Sequence, residues 1–426
     1  MLPTRRPLLS TLVVVVAASA TCSPRPGELP DGSSGGTAAV TSSDNGKSPC
    51  TPLETRPPNA RDQRPAFTGQ TRACGAKSTV PFDVSVVATG LARPWSVEPL
   101  PGGDFLVSEK PGRLRIVSRS GAIGEPITGI PAVDPRGQGG LLDVALSPTF
   151  ASDRTIFWSF SEPRPGGNGT SIARGMLSSD RRSLGDVRVI FHVLPTYNNS
   201  MHFGSRLAFG PDGMLYATFG ERSDRQTRPY AQSLESHLGK IVRIRPDGSV
   251  PPDNPFVGKA DAQPEIWSLG HRNIQAAAFD ARGQLWAIEH GTNGGDELNR
   301  IEKGKNYGWA EVGYGVEYSG QPLPGPTARA GTEQPVYYWD PVIAPSGAQF
   351  YTGDAFPAWR GSLFIGALRE KRLVRLTLDN GRVTGEEHLL ADRGHRIRDV
   401  RQGPDGALYV VTDDENGELW RIAPQR

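Results

Sequence analysis

The sequence predicts an all-β protein, a six-bladed β-propeller behind a disordered N-terminal tether, and three observations carry that reading. The 426 residues include 51 glycines and 38 prolines; together these are about a fifth of the chain, against roughly 12% in an average protein. Such a chain is rich in turns and poor in long helices. After residue 80 one phrase recurs: an apolar run, a turn with Gly, Pro or Asp, an alternating strand, then a second strand often ending in a basic residue. Its turns fall near residues 101, 148, 211, 281, 352 and 404, the spacing of four-stranded blades with long loops.

Taken in chain order, residues 1–20 have the pattern of an export signal. Arg5 and Arg6 give the positive start, Leu8 to Ala17 the apolar stretch, and Ala18-Ser19-Ala20 a small-residue cleavage site. Thr4 to Leu9 also resembles a twin-arginine signal. The apolar stretch is shorter than the roughly 20 residues that span a bilayer, so no transmembrane segment is expected. The expected location is periplasmic or extracellular. Cys22 stands where a bacterial lipoprotein carries its lipid, although Thr21 fits that pattern poorly, so a lipid anchor at Cys22 stays open. Of the three cysteines, Cys50 and Cys74 are then free to pair in an oxidising compartment. Such a link would close a loop of about 25 residues and contribute about 3 kcal/mol by loop entropy; three inert thiols are the alternative.

Residues 21–80 are rich in Ser, Thr, Gly and Pro without apolar periodicity and read as a flexible linker, a tether partly stapled by that disulfide. Gly46-Lys47-Ser48 imitates the end of a phosphate-binding loop, but Thr41 stands where the first glycine belongs, which leaves that stretch as linker. Residues 81–426 form the propeller. The clearest repeats are Leu207-Ala-Phe-Gly-Pro-Asp-Gly-Met-Leu-Tyr and Val400-Arg-Gln-Gly-Pro-Asp-Gly-Ala-Leu-Tyr. Their proline fixes φ, their glycine accepts φ > 0, and the flanking alternation suits half-buried strands. Phe82 to Val87 is placed to supply the outer strand of the last blade and so leave no open edge.

Net charge is +2, from 47 basic and 45 acidic residues. No large single-sign field results, so nucleic acid is not an expected partner. Polar clusters instead precede the first strand of each unit: Arg93-Pro94-Trp95, Gln138-Gly139-Gly140, His202-Phe203-Gly204, His271-Arg272-Asn273, Pro345-Ser346 and Arg396-Ile397-Arg398. In a propeller these positions converge on one mouth of the central channel. Arginines paired with amides there suit a polar ligand bearing several carboxylates. His192, His237, His388 and His395 lack metal-type spacing. The run Glu289 to Glu297 has glycines that expose backbone carbonyls, the oxygens that calcium accepts, although it lacks the helix-loop-helix calcium spacing.

Gly137-Gln138-Gly139-Gly140-Leu141-Leu142-Asp143, Gly270-His271-Arg272-Asn273, Gly304-Lys305-Asn306-Tyr307-Gly308-Trp309 and Arg396-Ile397-Arg398-Asp399 resemble motifs of the glucose/sorbosone dehydrogenase family, the soluble quinoprotein aldose dehydrogenases. The resemblance covers roughly residues 85 to 423. It implies a six-bladed propeller holding pyrroloquinoline quinone (PQQ) and Ca2+ at the channel mouth, with hydride passing from the sugar to the quinone. It makes His202 the general base and places Gln138, Arg272 and Asn273 at the quinone edge. Arg369, Arg396 and Arg398 would meet the quinone carboxylates, with Arg369 standing where the family more often has lysine. Gly291 and Thr292 would hold the catalytic calcium through their carbonyls, although proline is usual at the second. Glu297 and Tyr307 would serve a structural calcium, and Trp339 would flank the sugar or cofactor face.

Two departures bear on cofactor affinity. Met201 replaces the Asp or Asn that relatives carry beside the base, and Pro341-Val342-Ile343-Ala344 is apolar where some relatives place a hydroxyl. The expected activity is oxidation of the anomeric hydroxyl of an aldose to its lactone, with electrons leaving to an external acceptor. The alternatives are a glycan- or partner-binding propeller without catalysis and, behind it, a calcium-dependent lactonase.

Overall fold

The computed structural model describes residues 50–425. The export signal, Cys22, Gly46-Lys47-Ser48 and the first part of the expected linker lie outside the described residues. The structure is an all-β six-bladed propeller. Strand β1 (Phe82–Leu91) comes first. The first blade is β2 (Pro94–Pro99), β3 (Phe105–Glu109) and β4 (Arg113–Val117), and the second is β5 (Leu141–Leu146), β6 (Thr155–Arg164), β7 (Gly167–Leu177) and β8 (Leu184–His192). The third contains β9 (Leu207–Phe209), β10 (Leu215–Thr218), β11 (Lys240–Ile244) and β12 (Ile266–Leu269). The fourth contains β13 (Ile274–Phe279), β14 (Leu285–Glu289), β15 (Asp296–Arg300) and β16 (Tyr337–Trp339). The fifth contains β17 (Pro345–Phe350), β18 (Leu363–Ala367), β19 (Arg372–Asp379) and β20 (Arg382–Leu389). The last joins β21 (Ile397–Gln402), β22 (Leu408–Thr412) and β23 (Gly417–Pro424) to β1.

Each expected turn joins the first and second strands of a blade. The ring closes as anticipated: β1 runs antiparallel to β23, from Phe82 opposite Pro424 to Leu91 opposite Gly417. The two ends of the propeller sequence thereby share one sheet. Around the axis β2, β5, β9, β13, β17 and β21 contact one another in sequence, and β21 returns to β2.

The second strands differ from the half-buried expectation. Every residue of β3, β10, β14, β18 and β22 is buried, because each blade packs against a neighbour on both faces. Leu363 and Ile365 of the fifth blade, for example, share a core with Trp286 and Ile288 of the fourth. Exposure alternates only on outer strands such as β1.

Residues 50–80 are the part of the expected tether that the disulfide staples, and they are bound to the blades. Cys50 and Cys74 are joined by a disulfide, Gly75 bridges Glu386 of β20, and Gln70 is fully buried. Gln70 donates from Nε2 to the Pro335 carbonyl at 2.9 Å, and its own carbonyl accepts from Tyr338 N at 2.8 Å. This stretch lacks apolar periodicity because polar contacts and a covalent link hold it, rather than a buried apolar stripe.

Inside the ring a buried ion network ties the first strands together. Arg206 Nη1 lies 2.7 Å from Asp143 and 3.2 Å from Asp399. Arg401 reaches Asp399 at 2.9 Å and Glu98 at 3.4 Å, and the Arg206 guanidinium sits over Trp95. The polar residues that interrupt these strands therefore satisfy one another across the axis.

Candidate active site at the channel mouth

The loops entering the first strands surround a cavity of about 350 Å³. Gln138, Arg396 and Arg398, expected there, line it together with Arg93, Lys110, His290 and Asp413. Four cationic side chains thus face one carboxylate. Asp413 organises the wall: Arg396 reaches its Oδ2 from Nη2 at 2.6 Å and Arg398 does so at 3.0 Å. Burial alone would raise the Asp413 pKa, but Arg398 and Arg396 outweigh it and hold the carboxyl below its ordinary value. Burial, followed by repulsion from Arg93, lowers the Lys110 ammonium.

His202 borders this cavity through its neighbours Phe203 and Gly204, which line it. It is 3% exposed and held at φ 47°, a conformation that a non-glycine residue keeps only where its surroundings fix it. Its backbone N–H donates to Gln138 Oε1 at 2.8 Å, and its Nδ1 lies 3.0 Å from Glu221 Oε1. The other Glu221 oxygen accepts from Ser223 N at 2.6 Å. A carboxylate only accepts, so Nδ1 carries the proton and Nε2 keeps its lone pair. Burial, then the nearby Arg272 charge, lowers the His202 pKa, so the ring is neutral at neutral pH.

Glu221 was not legible as a site residue. It follows β10 in the blade that His202 precedes, in Phe219-Gly220-Glu221-Arg222, and a polar residue directly after a second strand was the available signal. It supplies the polar partner whose loss at Met201 was expected to matter. The Met201 side chain itself is 38% exposed. Close approach of the two loops depends on glycine: a Cβ on Gly204 would lie 2.6 Å from Phe219 Cα, and one on Gly220 would lie 2.4 Å from the His202 carbonyl.

Arg272 and Asn273 are buried beside these residues and do not themselves line the cavity. Arg272 N donates to Glu289 Oε2 at 2.6 Å, its Nη2 to Tyr318 Oη at 3.1 Å, and its Nη1 to the carbonyls of His290 and Gly291. Asn273 Oδ1 accepts from Gly204 N at 3.2 Å. Arg272 Nε and Asn273 Nδ2 are buried donors without a partner. His290 hydrogen-bonds through Nε2 to the Pro345 carbonyl, and burial lowers its pKa to about 3.

Behind Arg272 a small second cavity is lined by Glu289, Gly291, Glu297 and Tyr307, so these expected residues gather as well. Asn299 Nδ2 bridges Glu289 at 3.0 Å and Glu297 at 3.1 Å. Burial, reinforced by the Glu289 charge, raises the Glu297 pKa above the ordinary carboxylate range. Tyr307 stacks on His271, and its hydroxyl donates to the Arg300 carbonyl at 2.6 Å. The turn carrying Gly291 and Thr292 is held by Asp296, which accepts from Gly291 N on one oxygen and from Ile343 and Ala344 N on the other, each at 2.8 Å. The Thr292 hydroxyl is buried without a partner. Among the described residues no three His, Cys, Asp or Glu side chains gather as a metal site.

Two expected residues stand apart. Arg369 is exposed, one residue beyond the cavity-lining Leu368. Trp339, expected at the sugar or cofactor face, lies on outer strand β16, is 5% exposed in the core between the fourth and fifth blades, and donates from Nε1 to Glu386. Outer strands are far from the axis, and spacing from a motif cannot show which strand a residue will occupy.

A propeller whose channel mouth joins a carboxylate-oriented histidine to an arginine-walled cavity belongs to the class of propeller sugar dehydrogenases, and the comparisons agree. The family model "Glucose / Sorbosone dehydrogenase" matches residues 91–421. An aldose sugar dehydrogenase of Escherichia coli is 43% identical over 80% of this chain and 93% of its own length. A crystal structure of a glucose dehydrogenase, 47% identical, superposes with TM-score 0.79 over 80% of this chain and 100% of that one. The PQQ-bound aldose sugar dehydrogenase of Streptomyces coelicolor, 32% identical, covers 82% of this chain and 100% of its own with TM-score 0.68. The chain belongs to the glucose/sorbosone dehydrogenase family.

Proposed function

We propose that this protein is an exported quinoprotein that oxidises the anomeric hydroxyl of aldoses to lactones, using PQQ and Ca2+. The observation that carries the reading is the pairing of His202, with Nδ1 on Glu221 and Nε2 unengaged, with a cavity walled by Arg93, Lys110, Arg396 and Arg398.

The residues fit the cofactor. A compact ligand with several carboxylates matches four cations set against one acid, and a quinone edge offers acceptors to the orphaned donors Arg272 Nε and Asn273 Nδ2. The Gly291 carbonyl accepts from the Arg272 guanidinium, and calcium would be met there through the second lone pair of that oxygen. When bound, PQQ supplies the hydride acceptor and calcium the Lewis acid. Arg396 and Arg398, braced on Asp413, and Arg369 at the rim would hold the carboxylates. Gln138 holds the His202 backbone, while Gly291 and Thr292 would present carbonyls to the catalytic cation. Glu297 and Tyr307 would serve a structural one. His202 Nε2 takes the proton of the sugar hydroxyl, and Glu221 stabilises the imidazolium that forms.

The relatives named for aldose sugars support the substrate class. The disulfide Cys50–Cys74 supports an oxidising compartment, and no helix among the described residues is long and apolar enough to cross a membrane. The test is reconstitution of the purified chain with calcium and PQQ, followed by dye reduction with a panel of aldoses and by quinone absorbance. Sugar-dependent reduction that requires both additions is expected; absence of quinone binding would overturn the proposal.

A further inference from the structure

The segment from Cys50 to Ala76 occupies a place that the channel chemistry does not require. It lies ahead of the family match, which begins at residue 91. Its base is fixed to the outer strands: Ala76 N donates to the Glu386 carbonyl at 2.7 Å and Ala73 N to Tyr337 Oη at 2.9 Å. Its other end reaches the turn that carries Gly291 and Thr292. The backbone N–H groups of Asn59 and Ala60 donate to the two carboxylate oxygens of Asp340, at 2.8 and 3.0 Å, and the Asn59 side-chain amide reaches Asn293 Oδ1 at 3.3 Å.

Asp340 transmits this contact directly. Its carboxylate is packed so closely on Gly294 that a Cβ there would lie 2.7 Å from the carboxyl carbon. Asp340 is itself 5% exposed, so losing the two N–H donors would leave a buried carboxylate short of partners, and it would have to move. On the other side of the turn Gln63 makes a reciprocal pair with Gly315, accepting from its N at 2.8 Å and donating to its O at 3.1 Å. The next residue, Val316, exchanges both backbone hydrogen bonds with Asn293, at 3.0 and 3.1 Å. Arg72 gathers the two arms of the segment by donating to the carbonyls of Glu54, Arg56 and Asp340, and Cys50–Cys74 closes the base.

We propose that residues 50–76 form a disulfide-closed strap whose Asn59, Ala60 and Gln63 are positioning residues for the Gly291–Asp296 turn, holding its carbonyls in the geometry that binds a cation. This rests on reading the Gly291 and Thr292 carbonyls as calcium ligands. The strap has leverage because a carbonyl ligand points where its peptide plane points, and calcium affinity depends on site rigidity. A strap bonded to Asp340, Asn293 and Gly315 restricts those planes from outside the channel.

The test compares the full chain with Gln63→Ala, which keeps the disulfide, and with the double variant Cys50→Ser/Cys74→Ser. Hydrogen exchange is read on peptides covering residues 291–296, and calcium binding is titrated without quinone, with terbium luminescence as the probe. We expect exchange at 291–296 to quicken by about 10-fold in the double variant while β6 is unchanged, and cation affinity to fall by about 10-fold. Gln63→Ala should move both in the same direction by less. Should the double variant fail to fold, Gln63→Ala decides the matter. Unchanged exchange overturns the strap as a brace, and faster exchange with unchanged cation affinity overturns its role at the site. A wild-type chain that binds neither calcium nor terbium overturns the calcium reading and the proposal with it, a failure visible before any variant is compared.

Discussion

The role proposed for His202 depends on what surrounds it. Glu221 fixes the tautomer, burial and Arg272 keep the ring neutral, and Gln138 holds the backbone in a left-handed conformation. His202→Asn should leave quinone absorbance changes nearly intact and lower turnover by about 100-fold or more, measured by dye reduction with saturating sugar. Because the pKa is lowered, protonation should inactivate the enzyme only below the ordinary imidazole range, so the acid limb of kcat/KM lies on the acid side of about pH 6.5. Glu221→Gln removes the charge that favours the imidazolium. Its acid limb should move further toward low pH, and kcat should fall by about 10-fold through lost orientation; an unmoved limb would show that Glu221 does not act on the base. Met201 illustrates how a single position misleads. The residue beside His202 in sequence is exposed, and the partner of its imidazole comes from beyond the next strand.

At the scale of the element, the outermost strand of the last blade is the one most removed from its sheet in sequence. β1 covers β23 along its length, and Phe82 and Val84 pack against the cluster containing Trp420 and Ile422. Without it β23 becomes an open edge beside an uncovered apolar face. A chain beginning at residue 92 should lose at least about 3 kcal/mol of stability, since several half-buried apolar side chains are removed with it, and should aggregate on heating. Urea unfolding monitored by tryptophan fluorescence checks this; an unchanged midpoint would mean the other blades hold the ring closed. The turns joining first and second strands were placed from sequence because Gly, Pro and Asp at fixed offsets dictate local backbone geometry. The burial of the second strands was misread because alternation reports one solvated face, and blades inside a ring have none.

For the whole molecule, the axis is where blades communicate. Glu98, Asp143, Arg206 and the β21 pair Asp399 and Arg401 come from four blades and meet only when the ring is closed. Burial, opposed by Arg401 and reinforced by Asp143 and Asp399, raises Glu98 to about 7. A carboxyl whose pKa is higher when folded holds its proton more tightly in the native state. Its contribution is therefore most favourable below its unfolded pKa and is lost as pH rises from about 4.5 to about 7. Glu98→Gln should flatten that part of the stability profile. Denaturant midpoints measured across the interval check this, and a profile of unchanged slope would assign the pH dependence to other groups.

The sequence by itself determined the blade count, the turns, the strand that closes the ring and the residues Gln138, His202, Arg396 and Arg398 at its mouth. These follow from local backbone chemistry repeated at a regular spacing, and from polar residues placed where an apolar strand should begin. Only the tertiary structure decided that Glu221 orients His202, that Asp413 braces the two arginines, that Trp339 belongs to an outer core, and that residues 50–80 bind the blades. Each of those depends on groups far apart in sequence meeting across the ring, and no short-range pattern records which strand a residue will face.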